Sequence, residues 1–422
     1  MRNEKIGYHN EFTPNEILAG EFYDACIPSL KARLKDNPKI AIVIPGGAMK
    51  GSWILGAIAG LKEAGICEKD ISLVLGPSAS SGSLAYFVSG QFDEGKKIWL
   101  NGLSDNKKFL LQNAQVEFLK RLLIKRLSEG VASIHKFFSP IIGIKCLSSL
   151  NEFVEGYILS EEDLFYSDNY PKILDVTEVI RLFSEDITNE TGVIEGVQLD
   201  FDAFKNSQMT IVIPVRNADT GEKEYFSNKE CEGCTLITSQ KMMLEVLQAT
   251  KTVPLMAGAP VYIGEKGKYD DGSFADPLPI GVHPTLSCDS INLGHILISK
   301  DGQTIRDDVL PIVLIPDNAL QPNNQRIRSF TKRVVNILDS GNRGDILDKG
   351  EQIYTSEYLE MLQNLAKKGK IVLIFHSGKK ISKLDNSKAA IQAGYESGKQ
   401  VTQNNPLSKL ISVHITSKKP QL

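Results

Sequence analysis

Fully apolar runs alternate along the chain with amphipathic ones. IAIVIPGG (40–47) is apolar until two glycines stop it, and ISLVLG (71–76) repeats the pattern. Runs this short, without polar alternation, predict strands buried on both faces, as in parallel sheets. Between them GSWILGAIAGLKEAGI (51–66) has helical spacing and ends at a glycine, and SSGSLAYFVSG (80–90) starts a second helix. Residues 14–36 also carry a helical pattern, interrupted at Pro28 and broken by Asn37-Pro38-Lys39. The first hundred residues therefore predict strand, glycine turn, helix, strand, tight turn, helix. That order calls for a parallel sheet covered by helices.

From about 101 to 205 helical spacing dominates. VEFLKRLLIKRLSEG (116–130) sets Val116, Leu119, Leu123 and Leu127 on one face and crowds Lys120, Arg121, Lys125 and Arg126 onto the other side. Such a stripe either covers a core or lies in an anionic lipid interface with its basic heads turned to phosphates. MTIVIPVRNADTGEKEYFS (209–227) predicts a hairpin turning at ADTGE, and APVYIGEKGKYDDGSF (259–274) predicts strand, turn, strand. VLPIVLIP (309–316) and KIVLIFH (370–376) add two buried strands, and the segment after about 402 offers little to pack.

Composition narrows the function classes. The 422 residues are 42% hydrophobic and 23% charged with a net charge of −3, ordinary for a globular protein and without a global attraction to nucleic acid. No apolar run approaches membrane-spanning length, and the first twenty residues lack the apolar core of a secretory signal. The expected location is the cytoplasm or a membrane surface, with signal-independent export left open. Six scattered cysteines do not form a disulfide framework. Cys231 and Cys234 make one CxxC, but a zinc site needs a second pair of ligands, so two reduced thiols in a turn are expected, with no metal and no cofactor.

Three stretches carry candidate chemistry. GPSAS (76–80) sits where a strand hands over to a helix, the place of a nucleophile elbow, and small neighbours suit its crowded turn. A frame shifted by two, SASSG (78–82), makes Ser80 the nucleophile; Ser78 is preferred because Gly76 directly follows the strand. PGGAMKG (45–51) places glycines between a strand and a helix N-terminus, where free N–H groups suit an oxyanion or a phosphate. Its spacing fits neither a Walker loop nor GxGxxG. KYDDGSFADPLPI (268–280) puts Asp271 before a glycine at a strand end, which also describes a plain solvated turn.

In order, GGAMKG (46–51), GPSAS (76–80) and DGS (271–273) resemble the oxyanion loop, elbow and aspartate motif of the patatin-like phospholipases. Asp271 follows Ser78 by 193 positions, a usual separation in that family. GAIAGLKEAGI (56–66), TGEKEYFS (220–227), the lead-in 252–280 and KLDNSKAAIQAGYESGKQ (383–400) are similar to the flanking segments, so the resemblance spans roughly 38 to 402. Three small residues depart from it: Ala48 for the third loop glycine, Ser80 for the last elbow glycine, and Ser273 for the second glycine of the aspartate motif.

The resemblance implies a three-layer α/β/α fold with a central, mostly parallel sheet. It implies an N-terminal helical extension (1–37), an acyl hydrolase domain (38–402) with a helical lid or insertion at about 101–205, and a tail (403–422). It further implies a Ser78–Asp271 dyad without histidine, an oxyanion hole at Gly46, Gly47 and Ala48, and Lys50 and Gly51 supporting the loop or a lipid phosphate. The substrate would be a phospholipid or lysophospholipid, with Lys120, Arg121, Lys125 and Arg126 as membrane contacts. An activator protein or a second copy is left open. Two rival readings remain at this point. One is a Ser–His–Asp esterase using His283 or His295; the other is a catalytically weakened or inactive relative that acts as a lipid- or partner-binding module.

Overall fold

The computed structural model describes residues 14–109, 174–254, 257–281, 297, 305–320, 356–378, 381 and 385–418. The sheet is built on five parallel strands: β1 (Lys39–Val43), β2 (Ile71–Leu75), β5 (Thr210–Asn217), β10 (Val309–Ile315) and β11 (Val372–Phe375), side by side in the order β11-β10-β1-β2-β5. Antiparallel β6 (Lys223–Ser227) and then β7 (Thr235–Leu236) extend the β5 side. Every residue of β10 and β11 is buried, as are Ile40 to Val43 of β1. Strands apolar on both faces must be covered on both, and helices flank the sheet to form the α/β/α layering expected from the sequence.

One edge of β5 serves two strands. β2 pairs with its first half, ending with Leu75 opposite Val212. β9 (Lys268–Asp271), the return strand of a hairpin with β8 (Val261–Tyr262), pairs antiparallel with its second half, ending with Asp271 opposite Val215. β6 occupies the other edge. The ends of β2 and β9 therefore meet head-on across Ile213 and Pro214, and both chains must turn out of the sheet there.

Helix α2 (Gly51–Glu63) follows β1 and packs along α9 (Lys388–Asn404). The contact is close because glycines line it. A Cβ on Gly56 would lie 1.9 Å from the Tyr395 carbonyl oxygen, and one on Gly398 would lie 2.0 Å from that of Trp53. Both helices thus carry glycines four residues apart, 56/60 and 394/398, that let the backbones touch.

Three expectations need correction. Helix α1 (Pro14–Leu34) runs through Pro28 without interruption, because Phe22, Tyr23, Cys26, Leu30 and Leu34 bury it against the core. The region before 205 is not all helix: α5 (Val176–Ser184) and α6 (Phe201–Asn206) bracket a short hairpin of β3 (Ile187–Thr188) and β4 (Ile194–Gly196). The segment after 402 does pack. Asn405 caps α10 (Pro406–Ser417), which buries Leu407 and Ile411 and lies against α1. The stretch 116–130, with Lys120, Arg121, Lys125 and Arg126, lies outside the described residues, as do His283 and His295. Among the described residues no helix is long and apolar enough to cross a membrane.

Candidate active site

β2 ends at Leu75, and helix α3 (Ala79–Val88) begins four residues later. Ser78 makes the corner with φ 54° and ψ −132°, a left-handed backbone that a residue with a Cβ rarely adopts. The strain turns its hydroxyl out of the sheet, at the N-terminus of α3. Its N–H donates to Thr250 Oγ1 (3.0 Å), and Thr250 in turn donates to the carbonyl of Pro214 (2.7 Å).

Asp271 arrives from the other side of the same gap. Ser78 Oγ donates to Asp271 Oδ2 at 2.7 Å, and the N–H of Ser273 donates to Oδ1 at 2.8 Å. The backbone N–H of Asp271 is held by the Thr252 carbonyl (3.0 Å). Gly272 is required here, since a Cβ on it would sit 2.0 Å from the Pro214 carbonyl oxygen. Because Ser273 holds Oδ1 through its backbone, the departure from glycine at 273 leaves that contact intact. Burial pushes the Asp271 carboxyl up to about 6, against the pull of the Ser273 N–H, the Ser78 hydroxyl and the Lys251 charge. A hydroxyl bonded to a buried carboxylate of raised proton affinity has the geometry of a nucleophile and its base.

The loop after β1 lies over this pair. A Cβ on Gly46 would be 1.9 Å from Ser273 Oγ and 3.1 Å from Ser78 Cβ, so glycine alone fits beside the pair. Gly46 N–H leans on the Pro277 carbonyl at 3.4 Å, whereas the N–H groups of Gly47 and Ala48 have no acceptor among the described residues. Ala48 holds φ at 48°, the conformation that a glycine would adopt freely. Lys50 is buried, and its ammonium is paired with both oxygens of Asp317, just beyond the end of β10. A Cβ on Gly51 would strike the Trp99 ring at 2.4 Å, which fixes the loop's approach to that indole.

An apolar cavity meets Ser78, walled by Met49, Ala79, Trp99, Phe183 and Val253, with Lys251 at its edge. Ser80, the nucleophile of the alternative frame, is fully buried and donates to the Pro77 carbonyl, away from Asp271. Of the two histidines described, His376 contacts Ser397 and Trp53, and His414 lies on α10; neither touches Ser78 or Asp271. Cys231 and Cys234 are free thiols. A hydrogen bond with Cys234 pulls Cys231 down to about 7, and no third metal-ligating side chain joins them among the described residues. The sequence reading missed Asp317, Thr250 and Lys251. The apolar end of β10 followed by an aspartate, and the ATKT at a helix end, were the available signals.

No family model matches the chain, and no curated protein does. Solved structures similar at low levels include the following two. VipD from Legionella pneumophila is 15% identical with a TM-score of 0.37, covering 87% of this chain and 67% of VipD. Human GIVD cytosolic phospholipase A2, in complex with methyl gamma-linolenyl fluorophosphonate, is 9% identical with a TM-score of 0.22, covering 93% of this chain and 65% of the enzyme.

Proposed function

We propose that the protein is a serine-dependent lipid acyl hydrolase of the phospholipase A type. The observation that carries the reading is the 2.7 Å hydrogen bond from Ser78 Oγ to the buried Asp271 carboxylate at a strained strand-to-helix corner. The ordered motifs resembling patatin-like phospholipases point the same way. Asp271 takes the Ser78 proton while Oγ attacks the ester carbonyl. The oxyanion is held by the free N–H groups of Gly47 and Ala48, with the Gly46 backbone completing the loop. The tetrahedral intermediate collapses, Asp271 returns its proton to the leaving alcohol, and an acyl-enzyme remains. Water, deprotonated by Asp271, attacks that ester; a free fatty acid leaves and Ser78 regains its proton. The apolar cavity beside Ser78 suits an acyl chain, so the substrate is a phospholipid or lysophospholipid.

The test is fatty-acid release from a panel of phospholipids and lysophospholipids, with wild type beside Ser78→Ala, together with labelling by a fluorophosphonate. Release and labelling that both vanish in Ser78→Ala support the reading. Labelling lost in Ser80→Ala but kept in Ser78→Ala overturns the choice of nucleophile. Loss of turnover in a folded His283→Ala or His295→Ala variant selects a triad instead. Absence of labelling under every lipid condition selects a binding module.

A further inference from the structure

The turn that ends helix α7 (Gln240–Ala249) touches the Ser78–Asp271 pair directly at Thr250 and Thr252, and through Ser81 at Lys251. The Thr250 hydroxyl accepts from the Ser78 N–H at 3.0 Å and donates to the Pro214 carbonyl at 2.7 Å. The Lys251 ammonium donates to Ser81 Oγ at 2.6 Å, and Ser81 Oγ donates to the Ser78 carbonyl at 2.6 Å. The Thr252 carbonyl accepts from the Asp271 N–H at 3.0 Å. We propose that Thr250 and Lys251 are positioning residues that clamp Ser78 in its strained backbone, one through its N–H and the other, by way of Ser81, through its carbonyl. The proposal rests on the serine–aspartate reading given above and concerns how that serine is held.

Ser78 cannot rest at φ 54° unless its surroundings fix both flanking peptide groups. Thr250 and Ser81 do this from opposite sides. The same turn fixes the Asp271 backbone, so serine and carboxylate share one rigid reference. Lys251 is an unusual choice for such a place. It is buried, its Nζ also donates to the Leu247 carbonyl at the end of α7 (3.1 Å), and it lies 5.5 Å from the centre of the Phe183 ring. Burial lowers its proton affinity, pushing it down to about 7 despite the nearby Asp271 charge. A buried cation with no carboxylate bonded to it among the described residues lowers stability, so a role in holding Ser81 explains its presence better than a role in folding.

The experiment compares wild type, Thr250→Val, Thr250→Ser, Lys251→Met and Ser78→Ala. It measures kcat and KM on 4-nitrophenyl butyrate, the thermal midpoint, and hydrogen exchange at the Ser78 amide by NMR. The clamp predicts that Thr250→Val and Lys251→Met each lower kcat at least tenfold with KM changed less than threefold. It predicts that Thr250→Ser stays within threefold of wild type. Lys251→Met should keep or raise the thermal midpoint while losing kcat, a combination that a merely structural lysine does not give. The Ser78 amide should exchange slowly in wild type and Thr250→Ser, and faster in Thr250→Val. If wild type turns over, Ser78→Ala does not, and Thr250→Val and Lys251→Met keep kcat within twofold, the clamp is wrong and the serine reading stands. If wild type neither turns over this ester nor takes a fluorophosphonate label under any lipid condition, the serine reading fails, and the exchange rates still decide the clamp: unchanged protection in Thr250→Val overturns it.

Discussion

Leu75 and Asp271 pair with the same edge of β5, arriving from opposite directions and stopping at Val212 and Val215. The two turns that leave this gap carry Ser78 and Asp271 to 2.7 Å from one another, although 193 positions separate them along the chain. The site is a junction between two strand ends, and the Pro214 carbonyl lies at its centre, bonded by Thr250 and pressed by Gly272.

That crowding gives a first prediction. Gly272→Ala places a Cβ against the Pro214 carbonyl oxygen at 2.0 Å, where backbone rather than a flexible side chain must yield. Overpacking of this kind costs about 1–3 kcal/mol. Urea denaturation should show that loss. Fluorophosphonate labelling should fall by more than the unfolded fraction accounts for, because Asp271 moves with the turn. Labelling in proportion to folded protein would separate the turn from the chemistry.

The second concerns pH. Asp271 acts as a base only when ionised, and burial sets its proton affinity near 6. The kcat/KM profile should rise through that value and level off above it, with about a tenfold loss one unit below the midpoint. A profile that stays flat down to pH 4.5 in folded protein would remove Asp271 from the role of base.

The third follows from linkage. A carboxyl whose folded value is raised binds its proton more tightly folded than unfolded. Its burial therefore lowers stability as pH rises from about 4 to about 6, and by a constant amount above that. Asp271→Asn keeps an acceptor for the Ser273 N–H and removes the charge. It should abolish turnover yet stabilise the fold at pH 8 by about 1–3 kcal/mol, with the gain fading toward pH 4. Denaturant midpoints for both proteins across that range check the sign.

The fourth tests the ion pair under the glycine loop that follows β1. Removing one partner of the buried Lys50–Asp317 pair strands the other charge, a loss of about 3–5 kcal/mol. Lys50→Met and Asp317→Asn should each destabilise by that order, and the double variant by clearly less than their sum. An additive double-mutant cycle would show that the two residues act independently.

The fifth addresses the basic stripe at 116–127, which lies outside the described residues. Changing Lys120, Arg121, Lys125 and Arg126 together to Gln should weaken sedimentation with anionic vesicles and leave neutral vesicles unaffected. Equal binding by wild type and variant assigns the stripe to an ordinary helix face.

The sequence by itself determined the strands and the residue types at the site. Short apolar runs of strand length, stopped by glycine or proline, fit strands covered on both sides, and a corner of small residues between strand and helix suits a hydroxyl turned outward. Those local rules located β1, β2, β10, β11, the glycine loop, Ser78 and Asp271. They preferred Ser78 to Ser80 on the place of Gly76 alone; the direction of the two side chains is a tertiary matter, Ser80 turning back to the Pro77 carbonyl and Ser78 facing Asp271. Nor did they show that α1 continues through Pro28 or that α10 packs, because burial against elements hundreds of residues away stabilises both. The helix contact at Gly56, Gly60, Gly394 and Gly398, the Lys50–Asp317 pair and the Thr250–Thr252 turn depend on segments meeting in space. Periodicity records which face of a segment is buried, not what buries it, and so the shared edge of β5 that forms the site was decided by the tertiary structure alone.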